Sequence, residues 1–290
     1  MARCRLMTAS SKDTGIGEGR IIVATKYINV ARKYYASKGR QAEFIKLYGA
    51  MELAPVLGLA DEIVDTFHDY DKVFLFNKFE EDLELALQHK ISLNPILNSF
   101  QETYHKYNID KELVNAFMKS MRLDLTKNAY NTREEIDEYI YGSADVVGLM
   151  CLKVFVKGDN IRYNHLKESA KKLGSAFQKV NFLRDLHQAV QESNPTYFPT
   201  TNLKQLNEES KQEIINDIES DFAEGLSGIK ELPIEAKFGV YIAYRYYRQL
   251  LKKLKKTPAL EIQSTRIRVH NIKKIELLTR SYVKYQLKLV

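Results

Sequence analysis

The feature that most constrains this chain is a long series of segments with helical periodicity that begins near residue 52. Their boundaries are marked by Asn94-Pro95, by the turn Lys157-Gly158-Asp159-Asn160 and by Ser193-Asn194-Pro195. Strand signals are scarce in this part, so the pattern predicts an all-α fold whose helices surround a central cavity. The predicted helices fall at about 72–90, 94–106, 110–125, 133–157, 163–190, 208–229, 234–256 and 265–289.

The predicted secondary structure of the first sixty residues differs from that of the helical part. Arg20–Ala24 and Ala42–Leu47 read as strands, and Ile28–Ser37 between them reads as a helix. This predicts a short α/β-like segment at 1–60, followed by a helical domain at 61–290. Two strands alone are marginal and leave unpaired edges, so we expect the segment to be poorly ordered, rearranged to helix or dependent on the helical body.

Composition narrows the class of protein. The chain of 290 residues is 44% hydrophobic and 28% charged, which is typical of a folded globular protein. Its net charge of +7 favours anionic partners, although a solvated basic helix face near the C-terminus is the commoner explanation and no nucleic-acid partner is expected. The oligomeric state stays open.

Cysteine content and hydropathy bear on location. Only Cys4 and Cys151 occur, which argues against a disulfide framework and suits a reducing cytoplasm. No run of about 18 apolar residues is present, so any membrane contact is expected to be peripheral, at the inner membrane face.

An acidic cluster lies on a helix that is predicted to lead from Leu53 into Asp61–Phe67. Asp61 and Asp65 are one helical turn apart, and Glu62 stands beside the first of them. Carboxylates this close repel one another, and a divalent cation would neutralise them; oxygen ligands suit Mg²⁺ or Mn²⁺. The plain alternative is an acidic, solvated helix surface.

A second polar cluster lies within the otherwise apolar stretch Leu173–Asp185. Gln178, Asn181 and Asp185 fall on one helix face, and burying such groups unpaired costs roughly 1–3 kcal/mol each. Arg184 stands beside them as a candidate clamp for a diphosphate. We expect the two clusters to face each other across one pocket.

Part of the N-terminal segment resembles a known family. The residues that carry this resemblance are Cys4-Arg5-Leu6, Ala24-Thr25-Lys26-Tyr27 and Ile45–Pro55. Their sequence is similar to the middle of an ATP phosphoribosyltransferase of histidine biosynthesis, and the similarity covers residues 3–66. That family continues into a glycine-rich loop that binds ribose phosphate. Here the chain continues as Thr66-Phe67-His68, without glycine, so the phosphate loop and most of that enzyme are missing.

The helical part resembles another family, the squalene/phytoene synthases, most closely the bacterial phytoene synthases. The resemblance covers residues 61–290 and implies an all-α isoprenoid-synthase fold. It also implies head-to-head condensation of two geranylgeranyl diphosphates to phytoene, in carotenoid biosynthesis, through a cyclopropyl intermediate. The matching passages are Ala60–Thr66, Ser120–Leu125 with Tyr130 and Thr132, Tyr139–Gly148, Leu173–Asp185 and Thr196–Pro199.

The resemblance implies a role for each site residue. Asp61, Asp65, Tyr139 and Asp185 would be catalytic, and Gln178, Arg184 and Arg268 would contact the prenyl diphosphate substrates. Gly142 and Gly148 would let their helix bend beside a bound chain. The metal ligands for Mg²⁺ or Mn²⁺ would be Asp61, Glu62, Asp65, Asn181 and Asp185.

The chain also departs from the family pattern. The acidic residue expected four positions after Asp185 is Ala189, and the arginine expected three positions before Asp61 is Gly58. A Gly-Arg pair expected ahead of Tyr197 is missing, and the family's N-terminal helices are replaced by the phosphoribosyltransferase-like segment. The chain therefore resembles a chimera joined near residues 59–65. Two alternatives to an active synthase stay open. The protein could bind prenyl diphosphates without turnover, or it could be a phosphoribosyltransferase fragment.

Overall fold

The computed structural model describes residues 19–24, 42–47, 52–126, 130, 132–187 and 206–287. Within them the chain forms two strands, eleven α-helices and one π-helical turn at Tyr141–Asp145. The strands are β1 Gly19–Ala24 and β2 Ala42–Leu47. The helices are α1 Ala54–Asp65, α2 Lys72–His89, α3 Pro95–Lys106, α4 Lys111–Thr126, α5 Arg133–Ile140, α6 Val146–Phe155, α7 Asn160–Arg184, α8 Glu208–Glu231, α9 Ile234–Lys256, α10 Ala259–Ser264 and α11 Asn271–Gln286.

The two strands pair in parallel, with Ile21 opposite Phe44 and Val23 opposite Lys46. Apolar and β-branched residues of this kind suit a pleated ladder. Both strand predictions are confirmed, and the expectation of a rearrangement to helix is wrong for these residues. The predicted helix Ile28–Ser37 lies outside the described residues.

Side-chain caps fix several of the helix starts. The Asn94 carboxamide accepts from the amides of Ile96 and Leu97, and Pro95 occupies the first turn of α3. Asp159 caps α7 in the same way, and Asn207 forms a capping box with Ser210 at α8. The helices predicted on either side of the turn signals are therefore confirmed, with ends that differ by a few residues.

The predicted helix at 133–157 is interrupted by the π-helical turn between α5 and α6. A Cβ on Gly142 would lie 2.7 Å from the Ala116 carbonyl oxygen of α4, and one on Gly148 would lie 2.8 Å from the Ala170 carbonyl oxygen of α7. These glycines let neighbouring helices approach closely. A bend of their helix beside a bound chain stays a prediction.

The predicted helix at 265–289 begins later than expected. Residues 265–270 are extended, and Ile267 and Val269 turn their side chains into the core. The short helix α10 precedes this stretch, and α11 begins at Asn271. The alternation of buried and less buried residues at 266–269 is a strand-like period of two, which a helical reading of the segment misses.

Buried side chains form two cores that share α7. The first core gathers apolar residues of α1 to α4 and of α6 with Tyr163 and Leu166 from the start of α7. The second gathers residues of α8 to α10 with Leu173, Val180 and Leu183 from the rest of α7. A smaller cluster of Tyr130, Ile136, Tyr139, Ile140 and Phe182 lies beside them and leads to the candidate site.

Helix α1 crosses the predicted domain boundary at residue 60, and Leu53, Val56 and Ala60 are fully buried in the first core. The boundary itself stays a prediction. In the part of the chain described here, no helix is both long enough and apolar enough to span a bilayer.

Candidate functional site

The end of α1 presents two half-buried carboxylates. Burial, then the charge of Asp65, raises the pKa of Asp61 to about 6, and burial also raises the pKa of Asp65. Glu62 lies on the neighbouring, exposed part of the helix, where its carboxylate accepts a hydrogen bond from Thr66 Oγ1 at 3.2 Å. The predicted pair is thus partly withdrawn from water, and the third predicted carboxylate of this cluster is not.

A third carboxylate, Asp124 of α4, faces this pair. Burial is the main reason why the pKa of Asp124 is raised to about 7, and the charges of Asp65 and Asp61 add to it. Tyr139 Oη donates to Asp124 Oδ2 at 3.0 Å, and Tyr130 Oη lies 3.4 Å from Oδ1. We call Asp61, Asp65 and Asp124 the acidic half-site.

Tyr139 connects the acidic half-site to α7. Its ring is buried and stacks on Phe182 of α7 with the ring centroids 6.0 Å apart. Phe182 follows Asn181 in the sequence, so this contact places α7 beside Tyr139. That the two predicted clusters face each other across one pocket stays a prediction. Sequence spacing alone assigns Tyr139 no partner, and the structure gives it both Asp124 and Phe182.

On α7, the amide of Asn181 is buried at 7% exposure, and no described group forms a hydrogen bond with its Oδ1. A buried carbonyl oxygen without a partner loses roughly 1–3 kcal/mol of solvation, so it marks a place where a cation or donor is expected. Gln178 lies one turn earlier on the same face and is half-buried. The role of Asn181 as a metal ligand, which the resemblance implies, stays a prediction.

Asp185, at the C-terminal end of α7, is held by two arginines. Arg184 Nε donates to Asp185 Oδ1 at 2.9 Å and its Nη2 bonds Oδ2, while Arg266 Nε lies 3.0 Å from Oδ1. We call Gln178, Asn181 and Asp185, together with Arg184 and Arg266, the arginine-paired half-site.

The structure distinguishes two arginines of the extended segment after α10. Arg268, the predicted substrate contact, is exposed, and its carbonyl accepts from Lys253 Nζ at 2.5 Å. Arg266 is the one that reaches Asp185. Both arginines lie in the same extended segment, two residues apart. The sequence therefore does not indicate which of them reaches Asp185. Asp124 was the other residue that the sequence analysis did not assign, although it lies within the matching passage Ser120–Leu125.

The donors present fit a hard divalent cation. The acidic half-site offers carboxylates whose mutual repulsion a cation relieves, and Asn181 offers an unpartnered oxygen. Among the described residues, no group of three or more His, Cys, Asp and Glu side chains is already gathered as a cation cage. Partial protein coordination completed by substrate phosphate is the usual arrangement for Mg²⁺.

Other features bear on the site from outside it. A cleft of about 350 Å³ between α2 and α4 is lined by Asn77, Glu80, Lys111 and neighbouring residues, and none of the candidate site residues lines it. A Cβ at Gly58 would meet no atom within 4 Å, so packing does not forbid the arginine that the family pattern expects there. Ala189 and Thr196–Pro199 lie outside the described residues.

Comparison with solved structures identifies the same fold. A dehydrosqualene synthase in complex with ligand superposes with a TM-score of 0.68 at 19% identity, covering 81% of this chain and 85% of that one. The squalene synthase HpnC from Alicyclobacillus acidocaldarius gives a TM-score of 0.57 at 18% identity, covering 71% and 81%. At these identities the likeness shows the fold alone, and it confirms the predicted all-α isoprenoid-synthase class.

The N-terminus matches a different family. The model for ATP phosphoribosyltransferase matches residues 1–68. The enzyme of that name from Marinobacter nauticus is 68% identical over 65 residues, and that from Hahella chejuensis is 65% identical over 65 residues. The match covers 22% of this chain and 30–31% of those relatives, so the chain spans less than a third of their length.

The helical part gives the longer match. The model for squalene/phytoene synthase matches residues 53–273, which is well over half of the chain, and it overlaps the first match only at 53–68. This overlap contains Asp61 and Asp65, where the two resemblances were expected to meet. The chain therefore belongs to the squalene/phytoene synthase family, and it carries an ATP phosphoribosyltransferase-like N-terminal segment.

Proposed function

We propose that this protein is a prenyltransferase that joins two prenyl diphosphates head to head, and that its substrates are two molecules of geranylgeranyl diphosphate, which give phytoene through a cyclopropyl intermediate. The observation that carries the proposal is the buried, unpartnered Asn181 Oδ1 on the helix that touches Tyr139 through Phe182. An oxygen left without a donor, on the helix that packs against the tyrosine bonded to Asp124, is the kind of ligand that a site for a metal and a diphosphate requires.

The residue types support a separate role in metal binding for each half-site. Asp61 and Asp65 would hold Mg²⁺ on one side, and Asn181 with Asp185 would hold it on the other. When bound, Mg²⁺ supplies positive charge that stabilises the departing diphosphate. Glu62 keeps its predicted place in the ligand set as a proposal, although its exposed carboxylate makes it the weakest member.

The cationic side chains would bind the diphosphate directly. Arg184 and Arg266 both contact Asp185 at hydrogen-bond distance. Arginine guanidinium groups bind phosphate oxygens through paired N–H donors, so an incoming diphosphate offers them the same type of acceptor that Asp185 does. Arg268 remains a candidate contact from the resemblance, with an exposed side chain.

Aromatic side chains would serve the carbocation that remains after diphosphate leaves. Tyr139 and Phe182 stack beside the acidic half-site, and Phe177 stacks on Tyr247 with the ring centroids 4.2 Å apart. Aromatic faces stabilise cations and exclude the water that would quench them. Asp124 accepts from Tyr139 Oη and would keep that hydroxyl in a fixed orientation.

The direct test is turnover. Purified protein incubated with labelled geranylgeranyl diphosphate and Mg²⁺ should release a C40 hydrocarbon, and chelation of the metal should stop it. Labelled farnesyl diphosphate in parallel determines the chain length, because a C30 product from it alone would replace geranylgeranyl diphosphate as the substrate. Absence of any hydrocarbon, under conditions in which a full-length relative works, would contradict the proposal.

A second candidate function is binding of prenyl diphosphates without turnover. It is favoured by Ala189 in place of an expected acidic residue and by Asp185, which both arginines already occupy. Calorimetric binding of the substrate without product would support it. A return of activity in Ala189→Asp would instead indicate an impaired enzyme. Binding of phosphoribosyl diphosphate would be needed to revive the third alternative, a phosphoribosyltransferase fragment.

A further inference from the structure

Helices α7 and α8 are antiparallel, and polar side chains join them at successive levels along their length. In order along α7, the contacts are His165 with Glu231, Ser169 with Glu224, Lys172 with Asp221, and Lys179 with Asp217 and Asp221. Among the described residues, this series of hydrogen bonds and ion pairs between the two helices ends at Lys179. The next residues of α7 belong to the arginine-paired half-site.

The last two levels form one cluster around Asp221. Its Oδ1 accepts from Lys172 Nζ at 2.9 Å, and its Oδ2 accepts from Lys179 Nζ at 2.6 Å. Lys179 Nζ also donates to Asp217 Oδ2 at 2.6 Å, one helical turn earlier on α8. The side chains of Asp221 and Lys179 are 3% and 11% exposed, whereas those of Asp217 and Lys172 are 46% and 51% exposed. We call these four residues the α7–α8 ion cluster.

Stability alone does not explain a buried pair such as Lys179 and Asp221. Desolvation of the two charges offsets much of their attraction, and apolar replacements of similar size often leave stability unchanged or raise it. An ion pair with fixed hydrogen bonds adds direction, because its bonds are satisfied at one relative position of the two helices. Since Asp221 bonds two lysines that are two turns apart, the α7–α8 ion cluster suits a role in fixing the rotation and register of α7.

The opposite side of α7 carries the candidate metal ligand. Lys172 and Lys179 are seven residues apart and therefore lie on the same side of the helix, whereas Asn181 lies about 160° away from Lys179. Asn181 Oδ1 is buried and has no hydrogen-bond partner among the described groups. No hydrogen bond of its own therefore fixes the direction of this oxygen, and its direction depends on the rotation of the α7 backbone.

The contact at the C-terminal end of α7 changes when a ligand binds, and this step rests on the proposed function. Arg266 reaches Asp185 from the segment after α10, and an incoming diphosphate competes with Asp185 for that arginine. Once the diphosphate engages Arg266, this end of α7 loses its ion pair with the segment. In the part of the chain that the structure describes, Lys179 is then the residue of α7 closest to Asn181 with an ion pair to another element.

We propose that Lys179 and Asp221 are positioning residues for the condensation. Their buried ion pair fixes the rotation of α7 on α8, so that Asn181 stays directed at the metal and the diphosphate while Arg266 leaves Asp185. Neither residue touches the substrate, because both act through the backbone of α7.

The test is a variant that combines Lys179→Met with Asp221→Asn. It removes both buried charges and leaves Lys172 and Asp217, which are accessible to water, so its melting temperature should equal or exceed that of the wild-type protein. Amide hydrogen exchange of residues 180–187 should become at least about fivefold faster, because this end of α7 opens locally more often. The Kd for inorganic diphosphate with Mg²⁺, measured by calorimetry, should rise at least about tenfold, since a displacement of about 1 Å in a site costs on the order of 10²-fold.

Two further variants make the comparison specific. Asp217→Asn removes one of the two acceptors of Lys179 at a half-exposed position, and it should shift the exchange rate and the Kd in the same direction by about two- to threefold. The matched control is His165→Gln with Glu231→Gln, which removes an exposed pair between the same two helices at their other end. It should leave both quantities within about twofold of the wild-type values.

The outcomes separate this proposal from the proposed function. The positioning role is wrong if the exchange of residues 180–187 or the Kd stays at the wild-type value in the double variant, or if the control variant changes them as much. It is also wrong if the melting temperature falls sharply, because the pair would then serve stability. A wild-type protein that does not bind diphosphate with Mg²⁺ would contradict the proposed function, and the exchange rates would still decide whether the α7–α8 ion cluster holds this end of α7.

Discussion

In the acidic half-site, three carboxylates share a partly buried space, whereas in the arginine-paired half-site one carboxylate is held between two guanidinium groups. The pKa of Asp61 is raised to about 6 and that of Asp124 to about 7, chiefly by burial. Asp185 by contrast lies within 3.0 Å of Arg266 and is bonded by Arg184. One side is short of positive charge, and the other already has it.

The difference indicates what each side would accept. The acidic half-site gains from any cation that relieves repulsion among its carboxylates. In the arginine-paired half-site, an incoming anion has to compete with Asp185 for the arginines, unless a cation takes up the carboxylate. A complex of Mg²⁺ and diphosphate carries both charges and would satisfy the two sides together.

The largest effect is expected from removal of a carboxylate in the acidic half-site. Asp61→Asn should lower kcat/KM by roughly 10³-fold, or about 4 kcal/mol, because a metal ligand and its charge are lost. The comparison variant is Glu62→Gln, the exposed and weakest member of the proposed ligand set, whose loss should lower kcat/KM by only about threefold. Equal losses in the two variants, measured in the hydrocarbon assay, would show that α1 presents a different face to the metal.

A buried carboxylate outside both half-sites tests whether a raised pKa marks a site at all. Asp145 accepts from Ser175 Oγ at 2.7 Å, and burial raises its pKa to about 6, with Asp221 adding to the rise and Lys171 and Lys179 opposing it. Because the folded pKa lies above the unfolded one, the unfolded state loses its proton first. Stability from this group is complete below about pH 4 and is lost as pH rises through about 6.

Asp145→Asn keeps an acceptor for Ser175 and removes the charge. It should raise the free energy of unfolding by on the order of 2–3 kcal/mol above pH 7, with the gain vanishing near pH 4, and should leave kcat unchanged. Urea unfolding across this pH range measures it. A gain that does not depend on pH would contradict the raised pKa of Asp145. A loss of activity would mean that Asp145 belongs with the acidic half-site in function.

A smaller effect is expected where the two half-sites are linked. Asp124→Leu and Tyr139→Phe each remove one partner of the 3.0 Å hydrogen bond. Each should lower kcat by about 10–30-fold with KM within twofold, and the double variant should be no worse than either single one, because both remove the same orientation. Tyr130→Phe, which loses the longer 3.4 Å contact, is the milder control. Additive losses would contradict a positioning role for Asp124.

The smallest effect is expected from substitution of an arginine in the arginine-paired half-site. Arg266→Gln should raise the Kd for inorganic diphosphate in the presence of Mg²⁺ by about tenfold, since one charged donor is lost. Arg268→Gln, two residues away and exposed, should change it by less than about twofold. Calorimetry of the two variants side by side decides between the arginine placed by the structure and the one expected from the sequence.

The helical body could be predicted because its signals are local. Asn94-Pro95 and Asp159 cap the helices that follow them, and the apolar periodicity of α8 and α9 extends over their whole length. The π-helical turn at Tyr141–Asp145 could not be predicted, because it depends on how closely Gly142 approaches Ala116 on another helix. Such a distance is set by packing and leaves no mark in the spacing of residues.

The site could be predicted only in part, for the same reason. The sequence indicates Asp61 with Asp65, and Asn181 with Asp185, because the two members of each pair are four residues apart on a helix. Asp124 is paired with tyrosines 6 and 15 residues away, beyond the end of α4, and this pairing exists only in the folded protein. Arg266 and Arg268 are equivalent in sequence, and only the path of the segment after α10 distinguishes them.

The claim that two half-sites form one site for Mg²⁺ and a diphosphate is tested most directly by calorimetric titration with a non-hydrolysable prenyl thiodiphosphate, with and without Mg²⁺. We predict binding that requires Mg²⁺ in the wild-type protein and weakens at least about tenfold both in Asp61→Asn and in Asn181→Ala. Binding that is equally tight without Mg²⁺, or that is unchanged by either substitution, would contradict the account.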